Sequence, residues 1–137
     1  MKDNIFIDTN IFIYAFLSDD KVKHEKAIKL LTSKKDSDIS ISVQVINEIY
    51  SSLLKNKINT DLIERYIFEI NQQINISPIS FETIKECILL KRKYKYSYWD
   101  SLILASALEN KCSVLYTEDM QSNQIIEKFL IITNPFS

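Results

Sequence analysis

Asp8, Glu48, Asp100 and Asp119 are the residues of this chain whose type and placement suit chemistry. Each lies where a hydrophobic run stops or is interrupted: Asp8 in I-F-I-D-T-N, Glu48 in Q-V-I-N-E-I, Asp100 in Y-W-D-S-L-I-L-A and Asp119 in L-Y-T-E-D. A carboxylate set against core-forming segments is costly unless something positive holds it there. The residues for other common catalytic sites are missing, which points to a divalent metal ion as the counter-charge. Oxygen-only ligands favour a hard ion, Mg2+ or Mn2+, over zinc. Such ions keep several waters, bind substrate phosphates and neutralise charge that builds up during phosphodiester hydrolysis.

Composition closes the other routes. Glycine is absent, which excludes the phosphate-binding loops that need it for close backbone approach. His24 is the sole histidine and sits in a lysine-rich helical segment, where a surface role is expected and no Ser-His-Asp or Cys-His nucleophile can be built. Cys87 and Cys112 are isolated and read as small buried hydrophobes of a reducing compartment. The 137 residues are 46% hydrophobic and 26% charged, fitting one α/β domain over residues 1–137. No apolar stretch is long and uncharged enough to span a membrane, and no signal peptide is evident, so a cytoplasmic location is expected. A net charge of −1 gives no global bias towards polyanions, so any nucleic-acid binding must come from local patches.

The elements that must position the acids follow from periodicity. Strands are predicted at Asn4 to Ile7, Asp38 to Ser42, Ile74 to Ile79, Ser113 to Tyr116 and Phe129 to Thr133. Helices are predicted between them, one capped by Asn10, one over Lys21 to Lys35, and one over Val43 to Lys55 with Ile46, Ile49, Tyr50 and Leu53 on its stripe. Asn59 or Thr60 caps the next, Ser80 the one after, and Tyr98 to Asn110 forms a buried helix. The alternation implies a three-layer α/β/α fold with a central parallel sheet of about four to five strands. Asp8 and Asp119 then fall just past the first and fourth strands. They share one edge if those strands are neighbours, because open α/β sheets place sites outside the carboxyl ends of strands, at the point where strand order reverses.

The acids are not equivalent on this basis. Asp8 can favour a helix start, but Asn10 can do the capping, which leaves Asp8 available. Asp100 lines up with Ile103, Leu104, Ala107 and Leu108, so it projects along an apolar stripe. Glu48 falls off its helix's stripe, and periodicity alone makes it solvent-exposed. Asp119 can equally cap a helix in T-E-D-M, and Glu118 competes with it as the functional acid.

At these residues the chain resembles the PIN-domain nucleases, and within them the VapC-type toxins of type II toxin–antitoxin pairs. The matching stretches are F-I-D-T-N-I-F-I-Y, Q-V-I-N-E-I-Y-S-S-L, Y-S-Y-W-D-S-L-I-L-A-S-A-L, L-Y-T-E-D-M-Q and the closing T-N-P-F, in order across nearly the whole chain. The resemblance implies an acidic pocket of Asp8, Glu48, Asp100 and Asp119 that holds one or two Mg2+ or Mn2+ ions and cleaves RNA. It also implies supporting roles for Thr9, Asn10 and Thr117, a homodimer, and inhibition by an antitoxin segment laid over the site. Many relatives carry glycine shortly after the fourth acid, where this chain has Ser122 and Asn123; asparagine tolerates a left-handed backbone better than most residues.

The basic and aromatic run K-R-K-Y-K-Y-S-Y-W leads directly into Asp100. Lys91, Arg92, Lys93 and Lys95 are candidates to hold RNA phosphates while a tyrosine or tryptophan stacks on unpaired bases. Equally, basic residues favour a helix C-terminus, and Tyr98 and Trp99 fit a core. Lys21, Lys23, Lys26 and Lys29 read as a solvated helix face. A non-catalytic module binding RNA or protein, and a DNA-directed nuclease, stay open beside the metal-dependent endoribonuclease.

Overall fold

The computed structural model describes residues 3–137. In chain order the elements are β1 (Asn4–Ile7), α1 (Thr9–Phe16), α2 (Lys21–Ser33), β2 (Asp38–Ser42), α3 (Val43–Lys55) and α4 (Thr60–Gln73). They continue with β3 (Asn75–Ser77), α5 (Phe81–Tyr94), α6 (Tyr98–Glu109), β4 (Val114–Tyr116), β5 (Ile125–Ile126) and β6 (Leu130–Thr133). The sheet order is β3-β2-β1-β4-β6-β5, parallel throughout except for the β5–β6 pair. From β1 the chain winds outward through β2 and β3, then crosses back to β4 on the other side of β1. Right-handed crossovers therefore put α1 to α4 on one face and α5 with α6 on the other. The strand order reverses between β1 and β4, so the two strands preceding Asp8 and Asp119 are neighbours, in register from Ile5 opposite Val114 to Ile7 opposite Tyr116.

The central position of β1 explains its composition. Ile5, Phe6 and Ile7 are all essentially inaccessible, because helices cover both faces. Each such side chain contributes about 1.5–3 kcal/mol by leaving water. Cys87 and Cys112 are buried and unpaired. No helix among the described residues is long and apolar enough to cross a membrane.

Four sequence expectations change. The sheet has a sixth strand, the two-residue antiparallel edge strand Ile125–Ile126, too short to leave an alternation pattern. Asp8, not Asn10, is the N-cap of α1, its carboxylate accepting from Thr9 N at 2.7 Å. On α6 every residue from Ser101 to Ala107 is buried, so Asp100 stands in the first turn of a helix that is enclosed on all sides and not along one stripe alone. On α3 the buried positions are Gln44, Val45, Ile49 and Leu53, while Tyr50 is exposed. The inward face is thus rotated towards Gln44 and Glu48. The expected caps of α4 and α5 do form, through Asn59 and through a Ser80–Thr83 capping box.

A glycine-free chain must still reverse direction. Among the described residues six non-glycine residues take positive φ: Lys57, Lys95, Lys111, Asn123, Glu127 and Lys128. Asn123, at φ 73°, is the asparagine of the loop after Asp119. Lys57 and Lys111 end α3 and α6 in the same way. The N–H of Lys57 donates to Leu54 O and that of Ile58 to Leu53 O; the N–H of Lys111 donates to Leu108 O and that of Cys112 to Ala107 O. Both are Schellman ends whose left-handed residue is ordinarily glycine. Lys57→Gly and Lys111→Gly should each stabilise the fold by roughly 0.5–1 kcal/mol, by relieving the left-handed strain. A shift of the chemical denaturation midpoint to higher denaturant at unchanged slope checks this.

Candidate active site

The β1–β4 and β4–β6 pairings each run one residue past the strands. Asp8 N donates to Tyr116 O at 3.0 Å, and Thr117 N to Thr133 O at 3.1 Å. This brings Asp8 and Thr117 side by side at the sheet's carboxyl edge. Thr117 is fully buried, and its hydroxyl donates to Asp8 Oδ2 at 2.7 Å. The Thr117 Oγ1 in turn accepts from Asp119 N at 3.2 Å, so one threonine fixes both acids that follow the two central strands.

The other two acids come from helix first and second turns. α3 starts immediately after β2, which puts Glu48 at the same edge. Its carboxylate accepts from Thr9 Oγ1 at 2.6 Å and from Gln44 Nε2 at 3.3 Å. α6 packs antiparallel to α5, with Thr83 near the start of α5 bonded to Glu109 at the end of α6. The start of α6 therefore returns to the edge, capped by Ser97, whose hydroxyl accepts from Asp100 N at 3.1 Å. Asp8, Glu48, Asp100 and Asp119 line one cavity of about 360 Å³, together with Thr9, Asn10, Tyr14 and Gln44.

Every group bonded to these acids is neutral. Asn10 Nδ2 donates to Asp119 Oδ2 at 2.9 Å, and none of the four joins an ion pair among the described residues. Burial raises the Asp8 pKa to about 7 against the lowering effect of Thr117 and Thr9, with Asp119 and Glu48 pushing further upward. Burial also raises Asp100, followed by repulsion from Asp119 and Glu48. Asp119 is raised by burial and then by Glu118, against Asn10 and Lys23. Converging carboxyls with raised pKa values mark a functional site.

Glu118 is turned away from this cavity. It pairs with Lys23 at 2.8 Å and accepts from the Tyr14 hydroxyl at 2.7 Å. Lys23 Nζ also lies 4.9 Å from the centre of the Tyr14 ring and 5.6 Å from that of Phe136, in the closing T-N-P-F stretch. Lys23 is thus a clamp rather than part of a solvated face. His24 is half-buried, with Nδ1 2.8 Å from Tyr14 O, rather than a free surface residue.

Lys91, Arg92 and Lys93 occupy the last turn of α5, and Lys95 is its left-handed cap. None of the four lines the acid cavity, and Lys93 pairs with Glu127 at 2.6 Å. Tyr98 packs against the core, whereas Trp99 is 62% exposed. Gln44, which periodicity did not single out, is buried and bridges Glu48 to the Trp99 carbonyl at 3.1 Å. Its spacing of one helical turn from Glu48 was the available signal.

The donor set fits a hard divalent cation. All candidate ligands are oxygens, and among the described residues no protein cation is bonded to them and two neighbouring buried acceptors, Asn10 Oδ1 and Gln44 Oε1, have no hydrogen-bond partner. The acids are not drawn into a closed ligand cluster: no three Asp, Glu, His or Cys side chains are so gathered among the described residues. The neutral donors Thr117, Thr9 and Asn10 hold Asp8, Glu48 and Asp119 at the cavity wall.

The raised Asp8 pKa makes stability depend on pH. Below its ordinary value of 3.8, folded and unfolded chains both hold the proton; between there and about 7 the unfolded chain ionises while the folded one retains it. Without divalent metal, stability should therefore fall as pH rises through that window. Asp8→Asn should remove most of this slope and stabilise the metal-free protein at pH 7 by on the order of 2–4 kcal/mol. Denaturation midpoints of both chains across the pH range measure it.

Residues 5–126 match the PIN domain family. No curated protein is significantly similar in sequence. Among solved structures, a toxin–antitoxin complex from Klebsiella pneumoniae contains a chain 23% identical, with TM-score 0.72, over 96% of this chain and 97% of that one. VapC20 of Mycobacterium tuberculosis, described as a sarcin-ricin loop cleaving toxin, is 16% identical with TM-score 0.67, over 84% and 91%. VapBC2 from Rickettsia felis, bound to a DNA fragment from its promoter, is 21% identical with TM-score 0.65, over 96% and 98%. At these identities the structures establish a shared fold, and with the family match spanning β1 to β5, the chain belongs to the PIN domain family.

Proposed function

We propose that the chain is a metal-dependent endoribonuclease, the toxin of a VapC-type toxin–antitoxin pair, which hydrolyses RNA phosphodiester bonds with one or two Mg2+ or Mn2+ ions. The observation that carries this reading is the convergence of four carboxylates, none paired with a cation among the described residues, on one cavity at the strand-order reversal. Such a site repels a bare phosphodiester. With divalent ions bound it attracts one, and the ions lower the pKa of bound water and neutralise charge on the reacting phosphoryl group.

The chain's own residues then have separable tasks. Asp8, Glu48, Asp100 and Asp119 are the candidate ligands. Thr117 orients Asp8 by occupying its Oδ2, Thr9 orients Glu48, and Asn10 orients Asp119. In the hydrolysis a water oxygen bonds to phosphorus, the bridging P–O bond breaks, and the leaving oxygen takes up a proton. Lys91, Arg92 and Lys95, beside the start of α6, are proposed to hold flanking phosphates of the strand. The similar structures include toxin–antitoxin complexes, which supports a cognate antitoxin as partner; a homodimer is proposed as the working form.

Asp8→Asn and Asp100→Asn should each lower RNA cleavage by ~100-fold or more while leaving the far-ultraviolet circular dichroism unchanged. Cleavage that survives both substitutions, or that persists in excess chelator, sinks the reading. A parallel assay on single-stranded DNA separates a DNA-directed nuclease from it, and unchanged RNA affinity in chelator with no turnover in any metal identifies a non-catalytic module.

Metal binding has its own readout. Mg2+ or Mn2+ should raise the thermal midpoint of the wild-type chain, and the rise should shrink sharply in Asp8→Asn. Because the ion competes with protons for Asp8, the rise should weaken as pH drops below about 7. Equal shifts in both chains would place the ion elsewhere.

A further inference from the structure

A second cavity, of about 630 Å³, opens beside the acid site and shares Gln44, Glu48 and Ser52 with it. Its volume lies within the ~300–1,000 Å³ typical of small-ligand sites. The Trp99 indole forms one wall, with Leu102 and Ile79 around it. Across from them, α3 contributes Asn47, Ser51 and Lys55. The wall is thus one large exposed π-face with apolar flanks, opposite an amide, a hydroxyl and an ammonium group.

Trp99 is 62% exposed and lines the cavity beside Val43, a second exposed apolar side chain, so the two form a contiguous apolar surface rather than a lone exposed residue. The indole is also held in position. Its ring meets Tyr98 edge-on, with centroids 5.0 Å apart and planes at 89°. The Trp99 carbonyl accepts from Gln44 Nε2, which also donates to Glu48. The Trp99 backbone and the acid site are therefore joined through a single side chain, and Trp99 directly precedes Asp100.

We infer that this groove docks an unpaired nucleobase of a single-stranded polynucleotide, stacked on Trp99, next to a phosphodiester held at the acid site. The inference rests on the nuclease reading above and adds what the substrate must present. A stacked base uses the π-face without regard to its identity. Asn47 and Ser51 can meet a base edge with either donors or acceptors. Glu48 to Lys55 spans seven residues of α3, roughly 10 Å along its axis, so a strand with one phosphate among the acids has an adjoining phosphate directed at Lys55. A duplex keeps its bases stacked inward and cannot offer one to the indole, so the groove selects single strands or loops.

Trp99 is the chain's only tryptophan, so its fluorescence reports this groove alone. In Asp100→Asn protein with Mg2+, a short single-stranded oligoribonucleotide of mixed sequence should quench Trp99 emission, and the same strand annealed to its complement should do so at least tenfold more weakly. With the catalytic acids intact, Trp99→Leu should raise KM for that oligonucleotide about tenfold, the loss of one base stack, with kcat changed far less; Trp99→Phe should restore most of it. Equal quenching by duplex, or an unchanged KM in Trp99→Leu, overturns the inference even if RNA is cleaved. Emission that changes with protein concentration alone, together with a rise in sedimenting mass, gives the groove to a second copy of the chain and also overturns it. Quenching by the single strand in a protein that cleaves nothing in any metal upholds base docking and overturns the nuclease reading instead.

Discussion

The Asp8 carboxyl ends the central strand at 4% exposure, and the groups that meet it there are an amide N–H and a hydroxyl. Neutral donors orient a carboxylate, but they do not replace the hydration that burial removes. The neighbours make matters worse, since Asp119 and Glu48 both push its pKa upward. Most of the architecture at this edge follows from that conflict. The β1–β4 pairing forces Asp8 and Thr117 together, the first turn of α6 brings Asp100, and α3 brings Glu48 with Gln44. Three helices, α1, α3 and α6, also direct their N-termini to this end of the sheet, where their partial positive charge eases the crowding of acids without abolishing it. A fold that concentrates negative charge in this manner is stable enough to form yet keeps a strong drive to take up a cation. Stability and ligand affinity are thus opposite faces of one electrostatic strain.

How much of this can be read from residues alone depends on which force places each side chain. Asp8 and Asp119 were legible because a buried parallel strand has an unmistakable apolar run and its carboxyl end is a defined place. Their proximity needed only the adjacency of β1 and β4. The stripe of Ile103, Leu104 and Ala107 that singles out Asp100 is buried, but so is the rest of α6, so the stripe alone does not set its direction; an acid in the first turn of so apolar a helix is the sounder signal. Glu48 was misplaced because Tyr50 was counted as core. With Tyr50 exposed, the inward face of α3 turns towards Gln44 and Glu48, and an aromatic residue at a protein surface cannot be told from a core one by spacing. The edge strand Ile125–Ile126 was missed for a different reason. Two residues carry no period, and only the pairing with β6 defines them.

The adjacent acids Glu118 and Asp119 show how neighbours acquire opposite fates. Successive residues in a loop leaving a strand point to different sides. Glu118 meets Lys23, which is itself held against the Tyr14 and Phe136 rings. Asp119 meets Asn10 and the cavity. The clamp therefore does two things with one cation. It ties the closing stretch of the chain to α1 and α2, and it occupies the Glu118 carboxylate so that the ammonium group of Lys23 does not bond to the acids of the cavity. Had Lys23 paired with Asp119 instead, the site would carry its own counter-charge and much of its demand for a metal would vanish.

This division also explains why the fold can be shared at 23% identity or less. The site draws on strand ends, helix caps and one turn of α3, so few positions need a particular residue, and the rest need only be apolar in the right period. Even backbone positions that would ordinarily favour glycine tolerate lysine or asparagine here, as Lys57, Lys111 and Asn123 show, because each strained residue costs little against a whole core. In this chain the site depends on the relation among the acids and the neutral groups that orient them. Replacing Thr117 by a residue without a hydroxyl would leave the Asp8 Oδ2 buried with no donor, and replacing Asn10 would free Asp119 from the wall of the cavity. The constraint therefore lies in a small set of hydrogen bonds whose job is to hold negative charges close together without cancelling them.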